Sequence, residues 1–85
     1  MIITEEFKDV IESLPRFYKE NKLDIFLGKK KIALIMRYGL DGNKPMTFRE
    51  VGAELGWKPD STRKVIIQSL KRLKRIYRSE FNSSC

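Results

Sequence analysis

The segment from Thr47 to Arg75 restricts the fold more than any other part of the chain, because it spells out two helices and the tight turn between them. Thr47 is placed to cap a helix, and Glu50 three residues later completes a capping box in which each residue serves the other's backbone amide. Val51 and Leu55 share one face, while Gly52 and Ala53 are small enough for a neighbouring helix to cross closely. Gly56 follows as a left-handed stop, and Trp57 supplies a large apolar anchor beneath the turn. Pro59 has the fixed φ of a first helical position, and Asp60 or Ser61 is expected to accept bonds from unpaired amides. A second helix therefore begins near residues 59–61.

That second helix has an inside and an outside. Thr62, Val65, Ile66, Ser69, Leu70, Leu73, Ile76 and Tyr77 recur at helical spacing and form the expected packed face. Arg63, Lys64, Lys71, Lys74, Arg75 and Arg78 are left largely outside. Ile66 and Ile67 are adjacent and point in different directions, so one widens the core and the other is open to a protein contact.

The charge balance says what such a face meets. The 85 residues hold 18 Lys and Arg against 11 Asp and Glu, for a net charge of +7. The excess is local: residues 1–26 carry net −2 and residues 27–85 net +9. A field of that sign attracts polyanions, and binding that releases counterions weakens steeply with salt, so nucleic acid is the leading expected partner. A chain of this length makes one domain with a modest core and little room for an enclosed catalytic pocket.

The other bounds exclude. With Cys85 as the only cysteine and no histidine, an intrachain disulfide, a Cys/His zinc site and a Ser-His triad are all ruled out. No cluster of nucleophile, base and metal ligands is visible, so neither an enzyme nor a cofactor is expected. No apolar run approaches the roughly 20 residues that span a bilayer, and the opening residues lack the basic start of a signal peptide, so the expected location is the cytoplasm, away from any membrane. Cys85 sits in a polar tail, residues 79–85, expected to be flexible.

Upstream, Phe7, Val10, Ile11 and Leu14 predict an amphipathic helix over residues 4–14, capped by Thr4 and closed at Pro15 unless the proline begins a new turn. Phe17, Tyr18, Leu23, Ile25, Phe26 and Leu27 then crowd together ahead of Gly28, which predicts a short helix or two with most of these side chains in the core. Lys29–Tyr38 reads as a helix through Ile32, Ile35 and Met36, ended by Gly39 with Leu40 as the apolar residue that follows such a stop. The Lys29–Lys31 run is either a helix-start charge cluster or a DNA contact. Asp41 to Pro45 is a turn-rich loop. The expected architecture is all-α, four to five helices, with residues 1–27 as an N-terminal helical extension of residues 28–78.

These residues also carry a resemblance. The run Leu34-Ile-Met-Arg-Tyr-Gly-Leu, the loop, Thr47-Phe-Arg-Glu-Val-Gly, Leu55-Gly-Trp, Arg63 and Ser69-Leu-Lys-Arg-Leu-Lys resembles region 4 of sigma-70 family factors. There the pattern runs LRxRYGL, a loop, TLEEVG, LGVTRERVRQIE and ALRKLR. The register holds without a gap from about Lys29 to Lys74, and Ile11-Glu-Ser-Leu-Pro is similar to the LxxLP that opens the region. Here extra residues separate that opening from the next helix, and regions 1 to 3 are missing.

The resemblance implies a helix-turn-helix that reads the promoter element upstream of the start site, in the major groove. The base-reading positions match Pro59, Asp60, Arg63 and Lys64, and phosphate-contacting positions match Lys29, Arg37, Phe48 through its amide, and Arg49; Lys58 and the basic Lys71 and Arg72 are expected to hold the DNA backbone beside them. Lys71, Arg72 and Lys74 also match positions where activators touch some family members. Two base-reading positions depart: the family has Arg where Pro59 stands and Gln where Lys64 stands, and a proline makes no bidentate contact to guanine. Arg49 replaces a residue that is acidic in most members, which favours the DNA backbone. The family also docks on the β flap of RNA polymerase, and Leu34, Ile35 and the preceding aromatic cluster are the candidates for that contact.

The expected function is sequence-specific binding of double-stranded DNA in transcription, in association with RNA polymerase. The alternative is a region 4 mimic that binds polymerase or a sigma factor as a regulator with little DNA specificity. A third reading is a helix-turn-helix serving packaging or recombination.

Overall fold

A computed structural model describes residues 7–78 as four α-helices and one 3₁₀ helix, with no strand among them. These are α1 (Lys8–Lys19), the 3₁₀ helix (Lys22–Ile25), α2 (Lys29–Tyr38), α3 (Phe48–Leu55) and α4 (Pro59–Ile76). The all-α class read from the helical periodicities is the class observed. Thr4, expected to cap the first helix, and the 79–85 tail with Cys85 lie outside the described residues.

The first helix does not close at Pro15; α1 continues past it to Lys19. Proline removes one intrahelical bond and crowds the carbonyl four residues earlier. Two features offset this. Pro15 is exposed, so its ring sits on the outer face of the helix and displaces nothing in the core. Phe17, one turn after Leu14, is fully buried, and that burial requires the helix to continue. The chain then reverses at Asn21, whose φ of 61° lies in the left-handed region that asparagine tolerates.

Helix α2 has its expected limits, with Gly39 left-handed at φ 61° and the Leu40 amide returning to the Ile35 carbonyl at 3.0 Å. Its buried face is rotated from the expected one. Ala33 and Leu34 are buried, Ile35 and Met36 are half-buried, and Ile32 is exposed. Leu27, also expected in the core, is 82% exposed.

Helix α3 has the full capping box: the Thr47 hydroxyl accepts from the Glu50 amide at 3.1 Å and the Glu50 carboxylate accepts from the Thr47 amide at 2.9 Å. Thr47→Ala is expected to cost about 1 kcal/mol. Melting should fall by about 4–8 °C, with faster hydrogen exchange concentrated in α3.

Gly56 ends α3 with φ 79°, and the Trp57 amide returns to the Gly52 carbonyl at 2.8 Å. Pro59 is the first residue of α4, preceded by Lys58 as N-cap. The expected side-chain cap from Asp60 or Ser61 is absent, because both already lie inside the first turn; Asp60 instead faces the positive end of the helix dipole.

The α3/α4 crossing rests on Gly52. A Cβ there would lie 2.6 Å from both the Thr62 hydroxyl and the Trp57 carbonyl oxygen. Thr62 is fully buried, and its hydroxyl donates to the Lys58 carbonyl at 2.9 Å, so the contact is polar yet satisfied. Ala53 is exposed and takes no part in the crossing.

One core joins all elements. Val10, Leu14 and Phe17 of α1, Leu23, Phe26, Leu34, Val51, Ile66, Leu70 and Leu73 are buried together. Residues 7–26 thus lie on the same core as the rest, α1 packing on α4. Tyr77 seals the far end: its ring lies 5.1 Å from that of Phe17 and its hydroxyl reaches the Lys22 carbonyl at 3.5 Å. Ile76, expected inside, is exposed.

Candidate nucleic-acid interface

The α4 face begins from its helical repeat. Thr62, Ile66, Ser69, Leu70 and Leu73 form the buried stripe. Lys64 and Lys71 stand seven residues apart and Arg75 four further, so all three project opposite that stripe. Arg63 lies one residue before Lys64 and projects from one flank, which gives the first two turns a pair of cations aimed in different directions. Both are exposed, as are Lys58 and Asp60. Asp60 is the only acidic residue of α4, against Arg63, Lys64, Lys71, Arg72, Lys74 and Arg75.

Arg49 is exposed in the first turn of α3, and Phe48 is half-buried at its first position. The capping box takes up the Thr47 and Glu50 amides, and the Phe48 and Arg49 amides point outward from the positive end of α3.

Two residues matched to phosphate contacts also make bonds inside the fold. Lys29 donates its ammonium to the Leu55 carbonyl at 3.0 Å, satisfying the C-terminal end of α3 from the start of α2. Arg37 donates to the Met46 carbonyl at 2.9 Å, while the Met46 amide donates to the Met36 carbonyl at 3.1 Å. The Arg37 guanidinium stacks 4.6 Å from the Phe48 ring and 5.4 Å from that of Tyr38, and its Nε is buried without a partner. These bonds fix α2 against both ends of α3. Burial raises the Tyr38 phenol above its ordinary pKa, and the Arg37 charge opposes that rise.

Arg37→Met is therefore expected to lower stability by about 1–2 kcal/mol and to speed exchange in the loop before α3. A change confined to DNA affinity, with unchanged melting, would assign Arg37 to phosphate instead.

Part of the expected flap-docking set does not reach the surface. Leu34, Phe17 and Phe26 are buried in the core, so none offers a docking surface; Ile35 and Tyr18 are half-buried. Ile66 is buried, and Ile67 is partly buried against the core. Trp57 packs on the core from the turn, as an anchor does.

Sequence reasoning missed one assembly. Phe26, Lys30, Val65, Gln68, Ser69, Lys71, Arg72 and Arg75 line a cleft of about 310 Å³ between the start of α2 and the flank of α4. Its parts are far apart in sequence, and only the Lys29–Lys31 run hinted at them.

Among the described residues no group of acidic or cysteine side chains is placed to hold a metal ion, and no helix is long and apolar enough to cross a membrane. Neither a protein-family model nor a solved structure matches the chain.

Proposed function

We propose that this chain binds double-stranded DNA through α4 and acts in transcription, as its resemblance to sigma region 4 implies. The observation that carries this is the exposed Arg63 and Lys64 pair in the first two turns of a helix that is braced from behind by α3 through the Gly52–Thr62 contact. Helices of this arrangement meet base edges with their N-terminal residues. In the proposed mode Arg63 and Lys64 donate to purine acceptors, Asp60 accepts from a cytosine amine, and Arg49, Lys58, Lys71, Arg72 and the Phe48 amide hold the backbone. No cofactor takes part. RNA polymerase is the proposed protein partner.

A second reading has a specific observation in its favour. Lys29 and Arg37 each donate to an internal carbonyl, and Pro59 stands where the family has a base-contacting arginine at the tip of the helix. A chain that keeps the region 4 frame while losing such contacts suits a mimic that occupies a polymerase or sigma surface with little DNA specificity.

One experiment separates the two. The chain is presented to RNA polymerase core, and in parallel to a random duplex pool at about 150 mM salt. An enriched motif supports the DNA reader; polymerase retained with no motif supports the mimic; neither result sinks both.

A further inference from the structure

The run Lys29–Lys31 opens α2 with three cations and no acid in its first turn, at the end of the helix where the dipole already disfavours positive charge. Two of the three have relief. Lys29 bonds the Leu55 carbonyl and Lys31 pairs with Asp24. Lys30 has neither, and it lines the cleft against α4.

The opposite wall is equally one-signed. Lys71, Arg72 and Arg75 contribute three further cations, Gln68 adds an amide that can donate, and among the described residues no carboxylate lines the cleft. Arg72 is held in place, its guanidinium 5.6 Å from the centre of the buried Phe26 ring. No carboxylate among the described residues forms an ion pair with Lys30, Lys71, Arg72 or Arg75. Four like charges at the rim of one concavity of about 310 Å³ repel one another, and an anion held there would relieve that repulsion.

We propose that this cleft binds a small anion carrying several phosphate groups, such as the polyphosphate of a nucleotide. A phosphodiester brings one charge, and a duplex presents its phosphates along a convex line. A tri- or tetra-anionic ligand matches both the number of cations and their placement on two facing elements, and guanidinium and ammonium donors suit its oxygens. Because Phe26 is covered by Arg72, the site recognises the phosphates rather than a stacked base. This site does not depend on the duplex reading above, although Lys71 and Arg72 are common to both.

The test uses inorganic triphosphate and the full chain, by calorimetric titration with amide chemical shifts in parallel. Saturable one-to-one binding is expected, weakening with salt, with shifts centred on residues 26–30 and 68–75. Lys30→Gln and Arg75→Gln should each weaken it by about tenfold. Arg63→Gln combined with Lys64→Gln should leave it within about twofold, since neither lines the cleft. These positions are exposed, and thermal melting of each variant verifies its fold.

Absence of saturable binding by the folded parent chain overturns the proposal. So does an equal loss from the Arg63/Lys64 pair, which would mean attraction by the general field. If triphosphate fails while Lys30→Gln weakens duplex binding, the cleft holds a DNA strand and the small-anion assignment falls. If duplex selection fails while triphosphate binds at the cleft, only the duplex reading is lost.

Discussion

Gly52→Ala is expected to lower stability by about 3 kcal/mol, the upper range for overpacking a tight site, and to depress melting by more than 10 °C in a domain of this size. The added methyl meets two oxygens at 2.6 Å, and one belongs to the backbone of Trp57. Backbone cannot swing aside as a long side chain does. Relief requires α4 to move away from α3, which uncovers Val51, Ile66 and the buried Thr62 hydroxyl. Combining the change with Thr62→Ala removes one of the two clashes and should recover part of the loss. Melting of the double variant compared with the two single ones gives the coupling between the sites. Full recovery would show that the Trp57 carbonyl moves freely, and an unchanged melting point for Gly52→Ala itself would mean that the helices do not cross this closely.

For the proposed duplex reading, Arg63→Ala combined with Lys64→Ala is expected to reduce the preference for a selected site over random duplex by about 10- to 100-fold or more, since each well-made base contact contributes roughly 1–3 kcal/mol of discrimination. Lys71→Ala should behave differently. It should weaken all duplexes alike and flatten the dependence of log affinity on log salt by about one counterion. Competition binding at several salt concentrations measures both quantities together. If the two sets of changes act alike on every sequence, Arg63 and Lys64 touch phosphate and the base-reading assignment is wrong. Arg63 and Lys64 project in different directions, so the single variants should relax specificity at different base pairs.

The elements most legible in the sequence were those with local punctuation. Thr47 with Glu50, Gly56, Pro59, and Gly39 with Leu40 each act within a few residues of themselves, and α2, α3 and α4 start or stop where they indicate. Pro15 misled because its local effect is outweighed by burial of Phe17 beyond it. Ile32 misled for a different reason: Ile32 to Met36 is continuously apolar, so periodicity alone did not say which side turns inward; Leu27 lies before the helix, where no periodicity places it.

In the candidate site, the exposure of Arg63 and Lys64 followed from helical phase. The roles of Lys29 and Arg37 did not, because their carbonyl partners lie 26 and 9 residues away and belong to other elements. A cation aimed at a backbone oxygen leaves no trace in the spacing of the residues around it. The cleft beside Lys30 was hidden in the same way.

The contact of Tyr77 with Phe17 and with the Lys22 carbonyl, the latter 55 residues away in sequence, also fixes an order of events. During synthesis α1 emerges early, but the surface that covers its apolar side belongs to the end of α4. Until that helix has formed and docked, Val10, Leu14 and Phe17 lack the cover it gives them. The slow step of folding should therefore be closure of this long-range contact, and changes at Phe17 or Tyr77 should alter the time the nascent chain spends as a target for chaperones.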